Sequence, residues 1–321
     1  MSTAVQPATV PFSPTPSQLA VAYSVCRHIT RSSAKNFYYA FLVLPRHKRQ
    51  ALCAVYAFMR RCDDIADDGQ LGMRERRAKL SETLDNLHRA QAGQPTDDPV
   101  LLALIHTQRR YNIAPELLDQ LAFGTMMDVP EEAHEEPGGA RPAQEAAQSG
   151  IVVQYRNFQE LYQYCYRVAA VVGLVCIRVF GYKDPAAEAL AERCGLAFQL
   201  TNIIRDVQED AQMGRVYLPA NDLAGFGIAA SELRDASDGA RFQSLLSMEA
   251  ERAREFYRSG DELIPLVDED SQPALWVLIT IYRRLLDKIA ERQYDVFHGK
   301  VRLTTREKLS ILAKGFVKRL A

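Results

Sequence analysis

Neither sign of charge prevails in this chain: 39 lysines and arginines stand against 40 aspartates and glutamates, a formal charge of −1. Binding along a phosphate backbone needs a basic surplus or stripe, so this balance excludes nucleic acid as the main partner. Cysteine is sparse, and none of Cys26, Cys53, Cys62, Cys165, Cys176 and Cys194 belongs to a CxxC pair. They read as small buried hydrophobes in a reducing compartment, not as zinc ligands or a disulfide framework. Long apolar runs are lacking too. The longest, 168–177, sits between Arg167 and Arg178 and falls short of the roughly 20 residues a bilayer span requires. The N-terminus has no basic start leading into an apolar core, so no signal peptide is read. The expectation is a cytoplasmic protein, with peripheral membrane contact left open and oligomeric state unreadable.

What the chain does have is helical periodicity. Residues 1–17 carry Pro7, Pro11, Pro14 and Pro16 among small polar residues, which predicts a flexible arm. From Gln18 onward apolar residues recur at three- and four-residue intervals, Ala, Leu, Arg and Glu dominate, and alternating runs are scarce. The pattern predicts helices over 18–30, 36–42, 46–66, 71–91, 98–110, 115–127, 157–181, 185–209, 241–260, 271–297 and 304–320. Several begin near prolines, which fit a helix's first turn. Asp184 before Pro185 is a predicted N-cap. Residues 129–150, rich in Glu, Pro and Gly, read as a loop insertion. No internal repeat is visible, so 18–321 is expected to form a single all-α domain.

Two acidic clusters about 140 residues apart carry the chemistry. In the first, Asp63-Asp64-Ile65-Ala66-Asp67-Asp68, helical spacing pairs Asp63 with Asp67 and Asp64 with Asp68. Arg60 and Tyr56 precede them on successive turns. Like charges at this spacing destabilise a helix, and more so near its negative C-terminal end, unless a cation reverses the sign. An EF-hand is excluded, because its third position would be Ile65 or Ala66. A solvated helix end is the plain alternative for this run taken alone.

The second cluster is sharper. Asn202, Asp206 and Asp210 step by four along one helical stripe, with Gln199 a turn earlier and Arg205 beside it. Magnesium takes hard oxygen ligands and completes its shell with waters or phosphate oxygens, so the stripe suits a metal-bridged diphosphate. A polar stripe packed on another helix is the alternative. Together the clusters suit diphosphate departure from an allylic substrate, which needs charge neutralisation and then an apolar cavity with aromatic faces for the cation. Residues 37–41 (FYYAF), Tyr164 and Tyr166 are candidates for those faces, though core packing is the commoner role of any one aromatic.

Five segments, AKNFYYAFLVLP, AVYAFMRRCDDIADD, YQYCYRVAAVVG, AFQLTNIIRDVQEDAQMGRVYLP and YDVFHGKVRL, resemble the squalene/phytoene synthases, head-to-head prenyl transferases, in that family's order. The resemblance implies an all-α, single-domain isoprenoid-synthase fold with a central cavity between two aspartate-rich helices. It implies magnesium, with manganese as a substitute, held by Asp63, Asp64, Asp67, Asn202, Asp206 and Asp210, and prenyl diphosphates as substrates. Ser33, Lys35, Tyr56, Arg60, Arg205, Lys300 and Arg302 look like diphosphate contacts, and Arg215 and Tyr217 resemble the family's RxY element. Phe37, Phe41, Tyr164, Val168, Ala169, Gln199 and Tyr282 would line the prenyl pocket, Tyr164 being set with the four aspartates Asp63, Asp67, Asp206 and Asp210 as catalytic.

Ala34 departs from the small polar residue many members carry there. Farnesyl diphosphate, giving presqualene diphosphate or squalene, is the expected substrate, with phytoene formation from geranylgeranyl diphosphate as the alternative. The chain lacks a GxGxxG fingerprint, which leaves NADPH use open. A terpene cyclase would carry N-D-x-x-S-x-x-x-E in the second wall, where this chain reads D-x-x-x-D. A non-enzymatic assembly factor of the same fold would have lost the acidic walls.

Overall fold

The computed structural model describes residues 13–34, 36–127, 129, 152–234 and 239–320. The chain divides into two compact units: Met1–Lys35 with Arg46–Glu131, and Asn36–Pro45 with Glu132–Ala321.

In the first unit, helix α1 (Pro16–Ser33) begins two residues before the expected start. Thr15 accepts from the Gln18 N–H while the Gln18 side chain caps the Thr15 N–H, and Pro16 needs no N–H partner at the first turn. Helix α3 (Arg46–Ala66) has the predicted bounds, and its buried stripe of Leu52, Val55, Phe58 and Cys62 packs among α1 and α5 (Pro99–Arg110). Asp98 caps α5 through the N–H groups of Val100 and Leu101 and also grips Arg61 of α3, with 2.9 Å from Arg61 Nη2 to Asp98 Oδ1. Helices α4 (Met73–Gln91) and α6 (Pro115–Met126) complete the unit around the C-terminal half of α3.

The second unit opens with the short α2 (Phe37–Phe41). Its central element is a continuous helical run of 23 residues, Phe158–Phe180, close to the predicted 157–181 and carrying the apolar 168–177 stretch within it. That run is long and apolar enough to cross a membrane by length and composition alone, yet half of its most apolar window is buried inside the fold. It consists of α7 (Phe158–Cys165), a π-turn (Tyr166–Ala170) and α8 (Val171–Phe180), and it packs on α9 (Ala186–Gln212). The contact is close because two glycines face it. A Cβ on Gly173 would stand 2.8 Å from the Ala191 carbonyl oxygen, and one on Gly195 2.7 Å from that of Ala169.

Two-residue strands β1 (Val152–Val153) and β2 (Arg215–Val216) pair in parallel, and α10 (Ala220–Gly225) follows. Helix α11 (Gly239–Leu263) packs along α9, and α12 (Gln272–Glu291) and α13 (Thr305–Leu320) finish the unit. The last six residues predicted for α12, 292–297, do not join the helix: Gln293 and Tyr294 take φ of 54° and 60°, which ends a helix of L-residues. Residues 1–12 of the expected arm, and all of the 129–150 insertion except Val129, lie outside the described residues.

Candidate active site

The first acidic cluster occupies the end of α3. Arg60 Nη2 donates to Asp64 Oδ1 at 2.5 Å, and Tyr56 and Asp63 act electrostatically on the same guanidinium. Burial lowers the Arg60 pKa, but the bond and charge of Asp64 outweigh it and the net direction is up. Asp63 is half-buried and accepts from Thr125 Oγ1 on α6 at 3.4 Å. Asp67 lies one residue past the helix, yet its N–H still reaches the Asp63 carbonyl at 2.9 Å, so the two keep one-turn spacing. Asp68 instead closes the following turn, accepting from the Gln70 N–H at 2.9 Å. Asp64 and Asp68 line a cleft of about 410 Å³ with Arg60, Arg61, Lys79 and the apolar Ile29, Ala57, Ile65 and Leu71. Ser33 closes α1 as an exposed residue, and Lys35 lies outside the described residues.

In the second unit the stripe Asn202, Asp206, Asp210 lies on α9, all three half-buried. Arg205 donates from Nε to Asp206 Oδ1 at 2.8 Å and also from Nη2 to Oδ2. Lys300 donates to Asp206 Oδ1 at 3.0 Å and contacts Glu209. Burial pushes the Asp206 carboxyl up, and these two cations more than reverse that, holding it below the usual aspartate range. Gln199 accepts from Asn202 Nδ2 at 3.5 Å. Arg302 lies two residues beyond Lys300, and both are exposed.

An aromatic row adjoins this cluster. Tyr282 is buried and interacts with Asn202, Arg205 and Asp206. Phe37 packs on it at 5.7 Å between centroids and Phe198 stacks on it at 4.5 Å, while Phe41 continues the row 6.3 Å beyond Phe37. A second group forms where Tyr164 stacks on Tyr217 at 5.1 Å, with Tyr155 within 5.3 Å of Tyr164. Val168 and Ala169 sit in the π-turn, a geometry that recurs at functional sites. Arg215 lies in β2, beside Val152 of β1.

Sequence reasoning passed over Phe198, Thr125, Tyr155, Glu209 and Gly195. Phe198 stands one residue before Gln199 inside the same block, and Glu209 lies between the two aspartates of the stripe. Adjacency alone does not say which of them turns inward.

The donors suit magnesium. Each stripe offers two carboxylates at one-turn spacing, and Asp206 is held ionised. Among the described residues no three carboxylate, imidazole or thiol groups converge as a protein-only metal cage. One or two carboxylates completed by water and phosphate oxygens is the usual magnesium arrangement.

A model of the squalene/phytoene synthase family matches residues 30–307. The chain belongs to that family. Among its relatives, the 15-cis-phytoene synthase of Synechococcus elongatus is 34% identical over 308 residues, covering 92% of each chain. The phytoene synthase of Mycobacterium tuberculosis is 35% identical over 299 residues, covering 91% of this chain and 89% of its own. Among solved structures, a dehydrosqualene synthase in complex with ligand superposes with a TM-score of 0.79 at 29% identity, covering 93% of this chain and 96% of the other. The squalene synthase of Alicyclobacillus acidocaldarius does so with 0.74 at 28% identity, covering 87% and 97%. The fold is therefore the all-α isoprenoid-synthase fold, and the chain is a prenyltransferase of the head-to-head type.

Proposed function

We propose that this chain condenses two molecules of farnesyl diphosphate into presqualene diphosphate and on to squalene. The carrying observation is the cluster of half-buried Arg205 and Asp206 with the exposed Lys300, standing against the Phe37–Tyr282–Phe198 row. A charged end for diphosphate thereby adjoins an apolar, aromatic path for a prenyl tail. Two rings packed on Tyr282 shorten that path, which favours farnesyl over the longer geranylgeranyl chain.

Ionisation breaks the C1–O bond of one substrate. In one unit Arg205, Arg215, Lys300 and Arg302 are the groups assigned to hold phosphate oxygens as negative charge grows on them; in the other unit the same role is assigned to Ser33, Lys35, Tyr56 and Arg60. Asp63, Asp64 and Asp67, and Asn202, Asp206 and Asp210, would hold magnesium or manganese. When bound, these ions neutralise the departing diphosphate. The faces of Phe37, Phe41, Tyr164 and Tyr282 stabilise the allylic cation, and Val168, Ala169 and the aliphatic stem of Gln199 exclude water from it. The C2–C3 double bond of the second substrate then attacks C1, and loss of one proton closes a cyclopropylcarbinyl diphosphate. A second ionisation and rearrangement end in hydride capture, if NADPH is used, or in loss of a proton.

A second reading, condensation of two geranylgeranyl diphosphates to phytoene, is favoured by the names of the relatives at 34–35% identity. Incubation with magnesium and each substrate, with and without NADPH, followed by product analysis separates the two. Squalene-type products from farnesyl diphosphate support the first reading; phytoene with no farnesyl turnover replaces it with the second.

Such hydrocarbon products partition into lipid. Helix α13 exposes Leu309, Phe316 and Val317 near Arg306 and Lys314, which suits peripheral contact with an anionic membrane. Vesicle flotation at low salt tests that contact, and absence of flotation with anionic vesicles removes it.

A further inference from the structure

Outside the cluster already described, one acidic side chain among the described residues of the second unit is almost completely buried. Glu249 on α11 is 1% exposed. Arg252, one turn on, donates from Nη1 to both Glu249 oxygens at 2.9 and 2.8 Å and to Asp222 Oδ2 on α10 at 3.0 Å. The same guanidinium lies over the ring of Phe158, the first residue of α7, at 4.1 Å. One arginine thus joins three elements.

Two of those elements lead directly to assigned residues. Helix α7 carries Tyr164. The segment before α10 carries Arg215 and Tyr217, and it runs beside residues 152–156. There Val152 pairs with Arg215 and Val153 with Val216, while Ala220 and Asn221 donate to the carbonyls of Tyr155 and Arg156 at 2.9 Å. The Tyr155–Tyr164–Tyr217 stack closes the same loop of contacts.

We propose that Asp222, Arg252 and Glu249 form a positioning clasp that locks the Arg215–Tyr217 segment against α7, so that Arg215 and Tyr217 meet the substrate in one fixed arrangement. The proposal rests on the assignment of Arg215 and Tyr217 to diphosphate binding. Two carboxyl groups share one guanidinium, and they interact with each other directly. A hydrogen bond between them needs one proton, which Glu249, the more buried of the two, carries toward the Asp222 carboxylate below about pH 7. Burial is the main cause that raises the Glu249 carboxyl to about 7, with Asp222 adding to it and Arg252 opposing. The buried Cys165 thiol on α7 also senses Glu249, and burial pushes it up.

Four proteins test the clasp: wild type, Arg252→Met, Arg252→Lys and Glu249→Gln. Diphosphate release gives kcat and KM, and near-ultraviolet circular dichroism reports the tyrosine stack. Arg252→Met should lose about 100-fold in kcat, as expected for a slight misplacement of reacting groups. It should also lose the tyrosine signal while far-ultraviolet helicity stays. Arg252→Lys should rescue neither, because an ammonium cannot lie flat on Phe158 while serving two carboxyls. Glu249→Gln, which keeps the neutral donor, should stay within threefold of wild type in kcat with the tyrosine signal intact. An unchanged tyrosine signal in Arg252→Met overturns the proposal, as does a loss beyond tenfold in Glu249→Gln. Should the wild type release no diphosphate from either substrate, the functional assignment fails, and the tyrosine signal still decides whether the clasp holds the segment.

Discussion

Lys300 places its ammonium 3.0 Å from Asp206 Oδ1, the carboxylate at the centre of the second acidic stripe. Arg205 holds both oxygens of the same group, so Asp206 is ionised and doubly compensated before any ligand arrives. The amine thus stands where a divalent ion would otherwise draw on that carboxylate.

Replacing Lys300 with Met should therefore act in two directions. Removing an ion pair of about 1 kcal/mol should tighten magnesium binding to the substrate-free protein about fivefold, read by isothermal titration calorimetry. Turnover should fall, because the diphosphate loses a cation. Weaker magnesium binding in the variant would show that Lys300 does not compete at Asp206.

Asp206→Asn keeps the shape and removes the charge. Arg205 and Lys300 are left without their partner, and the stripe loses its central anionic ligand. A loss of at least about 100-fold in turnover is expected with helicity unchanged, and Asp63→Ala should behave alike in the first cluster. Turnover near wild type in either variant would remove that residue from the metal set.

How much of this was legible beforehand differs residue by residue. Helix α3 has the bounds read from periodicity, because a buried stripe at three- and four-residue spacing specifies a helix wherever it packs. The Asn202, Asp206, Asp210 stripe likewise follows from spacing alone. The π-turn at Tyr166–Ala170 does not: one extra residue within 23 leaves the periodicity nearly intact. Neither do the left-handed Gln293 and Tyr294, since both residue types are acceptable inside helices. The pairing of Lys300 with Asp206 joins residues 94 positions apart through tertiary packing, so local pattern carries no sign of it. Glu249 is the clearest miss. It looks like any surface glutamate on a polar-rich helix until Asp222 and Arg252 are seen beside it.

Gly195 accounts for the π-turn's close seat on α9. A Cβ there would stand 2.7 Å from the Ala169 oxygen and 2.9 Å from the Ala170 Cα, both backbone atoms that cannot swing aside. Gly195→Ala should destabilise the fold by about 1–3 kcal/mol, seen as a lower Tm, and raise KM by displacing Val168 and Ala169. An unchanged Tm would mean that the two helices separate without cost.

Phe198 should govern chain length. Its ring stacks on Tyr282 at 4.5 Å and narrows the row that Phe37 begins. Phe198→Ala should move the ratio of kcat/KM for geranylgeranyl over farnesyl diphosphate upward by about tenfold, the size of effect that pocket volume commonly has on apolar substrates. A ratio that does not move would place the limit elsewhere in the pocket.

The pH dependence of stability isolates Glu249 from the other carboxyls. Its pKa is raised from an ordinary 4.5 to about 7, chiefly by burial, so between these values the folded protein binds more protons there than the unfolded chain. The stabilisation from this group is therefore full below pH 4.5, declines as pH rises, and is gone above about pH 7. Glu249→Gln cannot ionise and has no such slope. The Tm of the variant should accordingly gain on that of wild type as pH increases from 5 to 7.5, whatever the other groups contribute to both. A difference in Tm that stays constant across that range would mean that Glu249 is ionised throughout, and the neutral-acid form of the clasp would have to be abandoned.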